Sequence, residues 1–324
     1  MPHPFLQTSE ADFEPKAIEL FKTQMQEVKV LSDYASLLKF DLKNVRALNQ
    51  ILFLPISFFK THQVIRKNQT PDFIFESSGT SGMERSKHFV SDISIYHQSL
   101  EAGFRLFVGD PIKFIFLALL PSYLEQKHSS LVYMVERLMK LGGDPQNEFF
   151  KTDYARLNEI LSSNQASDKN ILLFGVSYAL LDFAEQFPRP FQNLTVIETG
   201  GMKGRREETT REELHRKLSA AFGLKKIHSE YGMTELLSQA WSARDGLYRC
   251  PPWMKVMARD LSDPFSLLPV GKQGALNVID LANQNSCAFI ATEDIGIVHE
   301  DGSFEVMGRM DASDLRGCNL LLEN

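Results

Sequence analysis

Cysteine is scarce in this chain of 324 residues: there are three, Cys250, Cys287 and Cys318. An odd count with no CxxC pair excludes a disulfide framework and a cysteine-rich zinc site. It fits a reducing compartment, so a cytoplasmic location is expected. The eight histidines contain no HxxxH pair, and a histidine metal site is not expected either. Long hydrophobic runs are also missing. The longest, residues 114–120, is far short of the roughly 20 residues a membrane span needs. The N-terminus, Met-Pro-His-Pro-Phe, has neither the basic start nor the apolar stretch of a signal peptide. Positive charge is not in excess. With 35 Lys and Arg against 41 Asp and Glu the net charge is −6, and nothing resembles the basic surface that nucleic acid requires.

What is present is ordinary globular composition, 43% hydrophobic and 23% charged, with room for one large domain or two modest ones. The first 50 residues carry apolar side chains at helical spacing: Ile18, Phe21, Met25 and Val28, then Leu31, Tyr34, Leu37 and Leu38. Short apolar runs at 73–75, 114–120, 171–176, 195–198 and 276–281 read as buried strands, and 226–228 as a short one. Helical patterns lie at 93–107, 131–141, 178–186 and 207–222. The last has a capping box from Thr210 and Glu213, an apolar stripe of Leu214, Leu218, Ala221 and Phe222, and Gly223 as its stop. Strands alternating with helices predict an α/β fold with mixed, largely parallel sheets flanked by helices. After residue 250, Pro and Gly punctuate short strands, including a hairpin at 299–307, so this part is expected to be β-rich.

Four segments have residues suited to chemistry. The first is Ser77-Ser78-Gly79-Thr80-Ser81-Gly82 with Arg85 and Lys87 behind it. It follows a strand, and its hydroxyls and amides can converge on anionic oxygens. The second, Tyr231-Gly232-Met233-Thr234-Glu235, brings a hydroxyl and a carboxylate after a strand; a carboxylate beside phosphates holds Mg²⁺. The third is Thr292-Glu293-Asp294 with Gly308-Arg309-Met310-Asp311, a carboxylate for ribose hydroxyls and an arginine for ribose or phosphate. The fourth is Glu198-Thr199-Gly200-Gly201-Met202-Lys203, a strand running into a glycine turn where open α/β sheets bind ligands. Taken singly, each also reads as a polar turn or surface loop.

Their order resembles the adenylate-forming enzymes: acyl-CoA synthetases, adenylation domains and luciferase. Ser77 to Lys87 looks like that family's phosphate loop, Tyr231 to Glu235 its YGxTE motif, Thr292-Glu293-Asp294 its TGD, and Gly308 to Asp311 its GRxD. Further segments are similar to the LuxE-type acyl-protein synthetases. These are Thr199 to Lys203, Pro251-Pro252-Trp253 with Ala258-Arg259, Phe289 to Gly296, and Arg316-Gly317-Cys318. The likeness spans about residues 70–324.

The resemblance implies an adenylate-forming core without the mobile C-terminal domain. Residues 1–70 would be a helical lead-in, 71–250 the nucleotide- and acyl-binding core, and 251–324 the β-rich part with a short tail carrying Cys318. It implies ATP and Mg²⁺ as cofactors and a fatty or other carboxylic acid as substrate. The acyl group would pass through acyl-AMP to Cys318, then to a reductase, an acyltransferase or CoA. Ser77, Ser78, Gly79, Thr80, Ser81, Gly82, Arg85 and Lys87 would hold phosphates, and Gly200, Gly201, Tyr231, Gly232 and Thr234 would surround the nucleotide. Asp294 and Arg309 would take the ribose and Glu235 the metal. Three departures stand out. Arg85 occupies the place of Pro-Lys, Glu293 replaces a glycine, and the adenylation lysine is missing, which leaves Lys203 or a loop cation to stabilise developing charge. Two alternatives remain open: a short CoA or carrier-protein ligase in which Cys318 is incidental, and a noncatalytic binding subunit.

Overall fold

The computed structural model describes residues 2–78, 84–121, 128–164, 168–200 and 210–310. It opens with helices α1 (Glu10–Glu27) and α2 (Lys29–Leu37). The Ser9 side chain accepts the Asp12 amide, and Glu10 and Asp12 suit the positive end of the α1 dipole. The buried face of α1 is Phe13, Ala17, Phe21 and Gln24, with Val28 and Leu31 continuing it. Ile18 and Met25, expected on that face, are only partly buried. The face is rotated because a glutamine belongs to it. The Gln24 amide donates to the Asn283 and Gln284 carbonyls, at 2.8 and 3.1 Å, and accepts from the Ala288 amide at 2.9 Å. Phe21 packs edge-on against Phe289, with ring centroids 5.2 Å apart.

Next come β1 (Leu54–Pro55), α3 (Phe58–Thr61), β2 (Phe73–Glu76) and β3 (Lys87–Val90). The run at 73–75 does form a strand, but β2 pairs antiparallel with β3 in a two-stranded sheet of its own. The alternating segment then follows: α4 (Ile93–Phe107), β4 (Phe114–Leu119), α5 (Ser130–Gly142), β5 (Glu148–Phe150), α6 (Tyr154–Ser163), β6 (Asn170–Gly175), α7 (Ser177–Gln186), β7 (Leu194–Glu198), α8 (Arg211–Phe222) and β8 (His228–Tyr231). Strands β5, β4, β6, β7 and β8 lie side by side and parallel. Every residue of β4 is buried, as a parallel strand covered on both faces requires. Helix α8 is capped by Thr210, which accepts the Glu213 amide, and stopped by Gly223 at φ +66°. The strand expected at 226–228 starts at His228 and runs through Tyr231, so Tyr231 ends a strand instead of following one.

Beyond β8 the pairing turns antiparallel. The last strands are β9 (Ala240–Ser242), β10 (Leu247–Arg249), β11 (Met254–Arg259), β12 (Gln273–Asp280), β13 (Phe289–Val298) and β14 (Phe304–Arg309). They continue the same sheet in the order β8-β9-β10-β14-β13-β12-β11, with β1 parallel to β13. The fold is therefore α/β around one mixed sheet, twelve-stranded among the described residues. A bulge at Ile295 and Gly296 offsets β13 from β14. A Cβ on Gly296 would lie 2.0 Å from the Glu305 carbonyl oxygen, so only glycine lets the strands approach there. Two hydrophobic clusters fill the molecule. One joins the N-terminal helices to β11–β14 and the other gathers β4, β6 and β7 with α4–α8.

Gln24 is a direct test of how the N-terminal helix is held. Gln24→Leu leaves one amide and two carbonyls without partners in the interior. It should lower the unfolding free energy in urea by about 1–3 kcal/mol. A loss under about 0.5 kcal/mol, the range of ordinary surface changes, would show that the amide contacts carry no weight.

Candidate active site

A cavity of about 450 Å³ opens where the carboxyl ends of β7 and β8 meet the β2–β3 hairpin and the end of β14. Carboxyl ends of parallel strands are the usual ligand position in an open α/β sheet, because the connecting loops diverge there. Ser77 and Ser78 line it from β2, Thr199 from the end of β7, and Gly232, Thr234 and Glu235 from the loop after β8. Arg309 closes it from β14. Segments far apart in sequence are thus brought together.

Other expected residues stand near the cavity without lining it. The Tyr231 hydroxyl donates to Asp294 Oδ2 at 2.8 Å, and Arg309 Nε donates to Asp294 Oδ1 at 3.1 Å. These two sit behind Arg309, where the register sets Asp294 opposite Arg309. Arg85 and Lys87 each approach Glu76 at 3.9 Å, so their charges meet a lining carboxylate. The Gly200 amide donates to Glu198 Oε1 at 2.6 Å, in a turn whose φ of +76° favours glycine. Gly79, Thr80, Ser81, Gly82, Gly201, Lys203 and Cys318 lie outside the described residues. Cys287 is buried with its thiol pushed up to about 12, and burial also raises the thiol of Cys250. Neither is poised as a thiolate.

The loop after β8 is held from several sides. Asp280, at the end of β12, accepts from the Leu237 and Ser238 amides at 2.9 Å and from the Ser238 hydroxyl at 2.6 Å. It also takes the Ala282 amide at 3.0 Å. Burial raises its carboxyl even so. Trp253 Nε1 donates to the hydroxyls of Ser99 and Ser238, at 3.0 Å each. His88 lies 2.9 Å from the Thr234 carbonyl through Nδ1 and 2.8 Å from the Ser286 hydroxyl through Nε2. A carbonyl only accepts, so Nδ1 carries the proton and Nε2 accepts from Ser286. Burial lowers His88 to about 4, which keeps it neutral. Asn283 Nδ2 donates to the Glu235 carbonyl at 2.8 Å. The backbone that presents Thr234 and Glu235 is therefore fixed by partners from β3, α4, β12 and the β12–β13 loop.

The cavity lining carries the carboxylates of Glu76, Glu84, Glu230, Glu235 and Glu293 against the cations Lys60 and Arg309. Burial works against the Arg309 charge, but Asp294, with Glu293 and Glu235, outweighs it and raises its pKa. Glu235 is buried, and desolvation raises its carboxyl against the pull of Ser86 and Arg309. A nearby cation would act against that rise. The first turn of α5, at Ser129, Ser130 and Leu131, also faces the cavity with its free amides.

Sequence reasoning missed Glu230 and underread Glu198. Glu230 lines the cavity, is buried, and has no hydrogen bond or ion pair to a described residue. Burial, helped by the charge of Glu198, pushes it up to about 8. Its only signal was a carboxylate inside an otherwise enclosed strand. A Cβ on Gly232 would lie 2.3 Å from Glu230 Oε1, which explains the glycine after Tyr231. Glu198 is also buried, yet His215, Arg211 and Ser177 overcome its desolvation and lower its pKa. Its Oε1 takes the Ser177 hydroxyl and the Gly200 amide, so it shapes the turn after β7.

Two solved structures share this architecture. The 2-hydroxyisobutyryl-CoA ligase in complex with 2-HIB-AMP and CoA superposes with a TM-score of 0.70 at 12% identity, covering 94% of this chain and 68% of that one. ATP-bound MatB from Rhodopseudomonas palustris gives 0.53 at 17% identity, over 73% of this chain and 47% of that one. The fold is that of the adenylate-forming enzymes. In sequence, the chain is 29% identical over 189 residues to the long-chain-fatty-acid–luciferin-component ligase of Vibrio harveyi, 53% of this chain and 48% of that protein. It is 28% identical over 194 residues to the ligase of the same name from Aliivibrio fischeri, 54% and 50% respectively. The chain spans about half the length of these curated relatives. The sequence model of the LuxE acyl-protein synthetases matches residues 144–324, and the chain belongs to that family.

Two substitutions test the site's construction. Asp280→Ala strands the Leu237 and Ser238 amides and should destabilise by about 1–3 kcal/mol per unsatisfied group. Proteolysis should then cut the loop at 232–239 faster than in wild type. Glu230→Gln tests the buried carboxyl by pH. The folded state keeps a proton up to about pH 8, while the unfolded state releases it near 4.5. The raised pKa therefore stabilises the fold at low pH, and that contribution is lost as pH rises from 4.5 to 8. Relative to wild type, Glu230→Gln should gain stability across this window at up to about 1.4 kcal/mol per pH unit. Parallel pH profiles of the urea midpoint would refute the assignment.

Proposed function

We propose that this protein activates a carboxylic acid, in first place a long-chain fatty acid, with ATP and passes the acyl group to Cys318. In the first half-reaction a carboxylate oxygen attacks the α-phosphorus, the bond to the bridging oxygen breaks, and pyrophosphate leaves acyl-AMP behind. In the second, the Cys318 thiol loses its proton to solvent and the thiolate attacks the acyl carbonyl. A thioester forms and AMP departs. One observation carries the reading: the hydroxyls of Ser77 and Ser78, the Gly232–Thr234–Glu235 loop and the Asp294–Arg309 pair converge on one cavity.

The roles assigned to described residues rest on that geometry, and those of Gly79 to Gly82, Gly201 and Lys203 on the family resemblance. Ser77, Ser78, the loop from Gly79 to Gly82 and the first turn of α5 bind phosphate oxygens. Arg309, aligned by Asp294 and Tyr231, is directed to ribose or α-phosphate. Thr199, Gly200, Gly201 and Gly232 border the base. Among the described residues no three His, Cys, Asp or Glu side chains cluster to hold a metal on their own. That donor set fits Mg²⁺ carried by phosphates, with Glu235 adding one hard oxygen. When bound, the ion neutralises charge on the leaving pyrophosphate. Preorganised charge and positioning supply most of the rate, and Arg85, Lys87 and Lys203 are the cations available to assist. Glu230, holding its proton, donates to an acceptor on the occupant. The relatives named as fatty-acid ligases support the acid substrate. The acyl acceptor is a partner protein such as a reductase or acyltransferase.

The test is ATP–pyrophosphate exchange with a panel of carboxylic acids, combined with intact mass of wild type and Cys318→Ser. The expected result is acid-dependent exchange and an acyl adduct absent from Cys318→Ser. Exchange should persist in that variant, while Glu235→Gln and Asp294→Asn lower it at least tenfold. Exchange without an adduct, with product only when CoA or a carrier is added, assigns the second half-reaction to an external thiol. No exchange with any acid defeats the activation reading.

A further inference from the structure

A larger cavity, about 730 Å³, lies beside the one just described. It lies on the other side of Ile56 and Glu293, which border both. Its volume falls within the roughly 300–1,000 Å³ of small-molecule sites. The wall is mostly apolar, from Leu52, Phe53 and Ile56 on the N-terminal side, and its mouth carries two exposed side chains, Leu261 and Phe265.

One cation is set into this apolar wall. Arg259 ends β11 and is 94% buried by its residual exposure of 6%. Its Nη1 donates to the Leu276 carbonyl at 2.9 Å and Asn277 Oδ1 at 2.8 Å, and its Nη2 to the Thr292 carbonyl at 2.6 Å. All three acceptors are neutral, and no carboxylate lies within ion-pairing distance among the described residues. A guanidinium has five N–H donors, so two, one of them on Nε, have no acceptor among the described residues. Tyr34, on the same cavity, acts on it electrostatically, with Asp294 and Glu293 behind it. Asp260, also on the cavity, turns its carboxylate to the Ser262 and Asp263 amides and the Ser262 hydroxyl of its own loop. A buried cation without a counter-charge is costly, and its remaining donors match a carboxylate.

We propose that this cavity is a second binding site, for a single-chain amphiphile with a carboxylate head, a free fatty acid. Arg259 holds the head and the apolar wall takes the tail. Arg259 lines the larger cavity and not the nucleotide cavity, so the acid held here is not the one undergoing attack. The site stands on Arg259 and its cavity, independently of the activation reading.

The test is calorimetric titration of the full chain, without nucleotide, with dodecanoate and dodecan-1-ol. Wild type should bind dodecanoate at least tenfold more tightly than the alcohol. Arg259→Lys, which keeps the charge and loses the planar fork, should weaken dodecanoate at least tenfold and leave the alcohol unchanged. Ser57→Trp, at an exposed lining position, fills the cavity without touching Arg259 and should weaken both. Dodecanoate should still bind when an acyl-sulfamoyl adenosine saturates the nucleotide cavity. Equal affinity for acid and alcohol, or wild-type binding in both folded variants, overturns the proposal. So does displacement of the acid by the adenosine compound. Failure of pyrophosphate exchange with dodecanoate binding intact would sink the activation reading alone.

Discussion

The carboxylate of Asp280 accepts four hydrogen bonds, three of them from Leu237 and Ser238 in the loop that follows β8. A carboxylate so enclosed is costly unless every lone pair is used, and here the backbone of a neighbouring loop uses them. The loop has no strand ladder or helix to satisfy its own amides, so a side chain from β12 does so. Trp253, Ser99, His88 and Asn283 complete the enclosure. The position of Thr234 and Glu235 therefore depends on the antiparallel half of the sheet being in register with the parallel half.

That dependence explains why the two halves form one sheet. Strands β4 to β8 supply a rigid parallel platform with its carboxyl ends open. Strands β9 to β14 bend back antiparallel and deliver Asp294 and Arg309 to the same opening. The N-terminal helices are joined to this arrangement by Gln24 and Phe21, and Tyr34 of α2 borders the larger cavity. Charge is distributed accordingly. The smaller cavity concentrates carboxylates and one paired arginine, and the larger is mostly apolar with one arginine that has no carboxylate partner among the described residues.

Much of this was legible before any coordinates. Helix α4 was expected at 93–107 and lies there, because Asp92 caps it and its apolar residues recur at helical spacing. Helix α8 was legible from its cap and its glycine stop. Strand β4 could not be mistaken, since six consecutive apolar residues leave no polar face. The motif segments were recognisable because glycines, hydroxyls and carboxylates cluster locally. Less legible were features whose partners lie far away in sequence. Gln24 reads as a solvent-facing residue until residues 283–288 reach it. Glu230 reads as a strand residue, and Arg259 as an ordinary charge at a strand end.

The sequence by itself determined the helices α4, α5, α7 and α8, the long apolar strands, the alternation that makes an α/β fold, and the four segments with chemical potential, since each depends on residues within about a dozen positions. Only the tertiary structure decided which of those segments share a cavity and that β2 and β3 stand apart from the main sheet. It also decided that Asp280 organises the Thr234–Glu235 loop and that Arg259 faces a mostly apolar cavity without a carboxylate partner among the described residues. The physical reason is that desolvation and hydrogen-bond satisfaction are properties of surroundings. A carboxylate or guanidinium carries no mark in its own sequence of whether water, a partner or nothing will meet it.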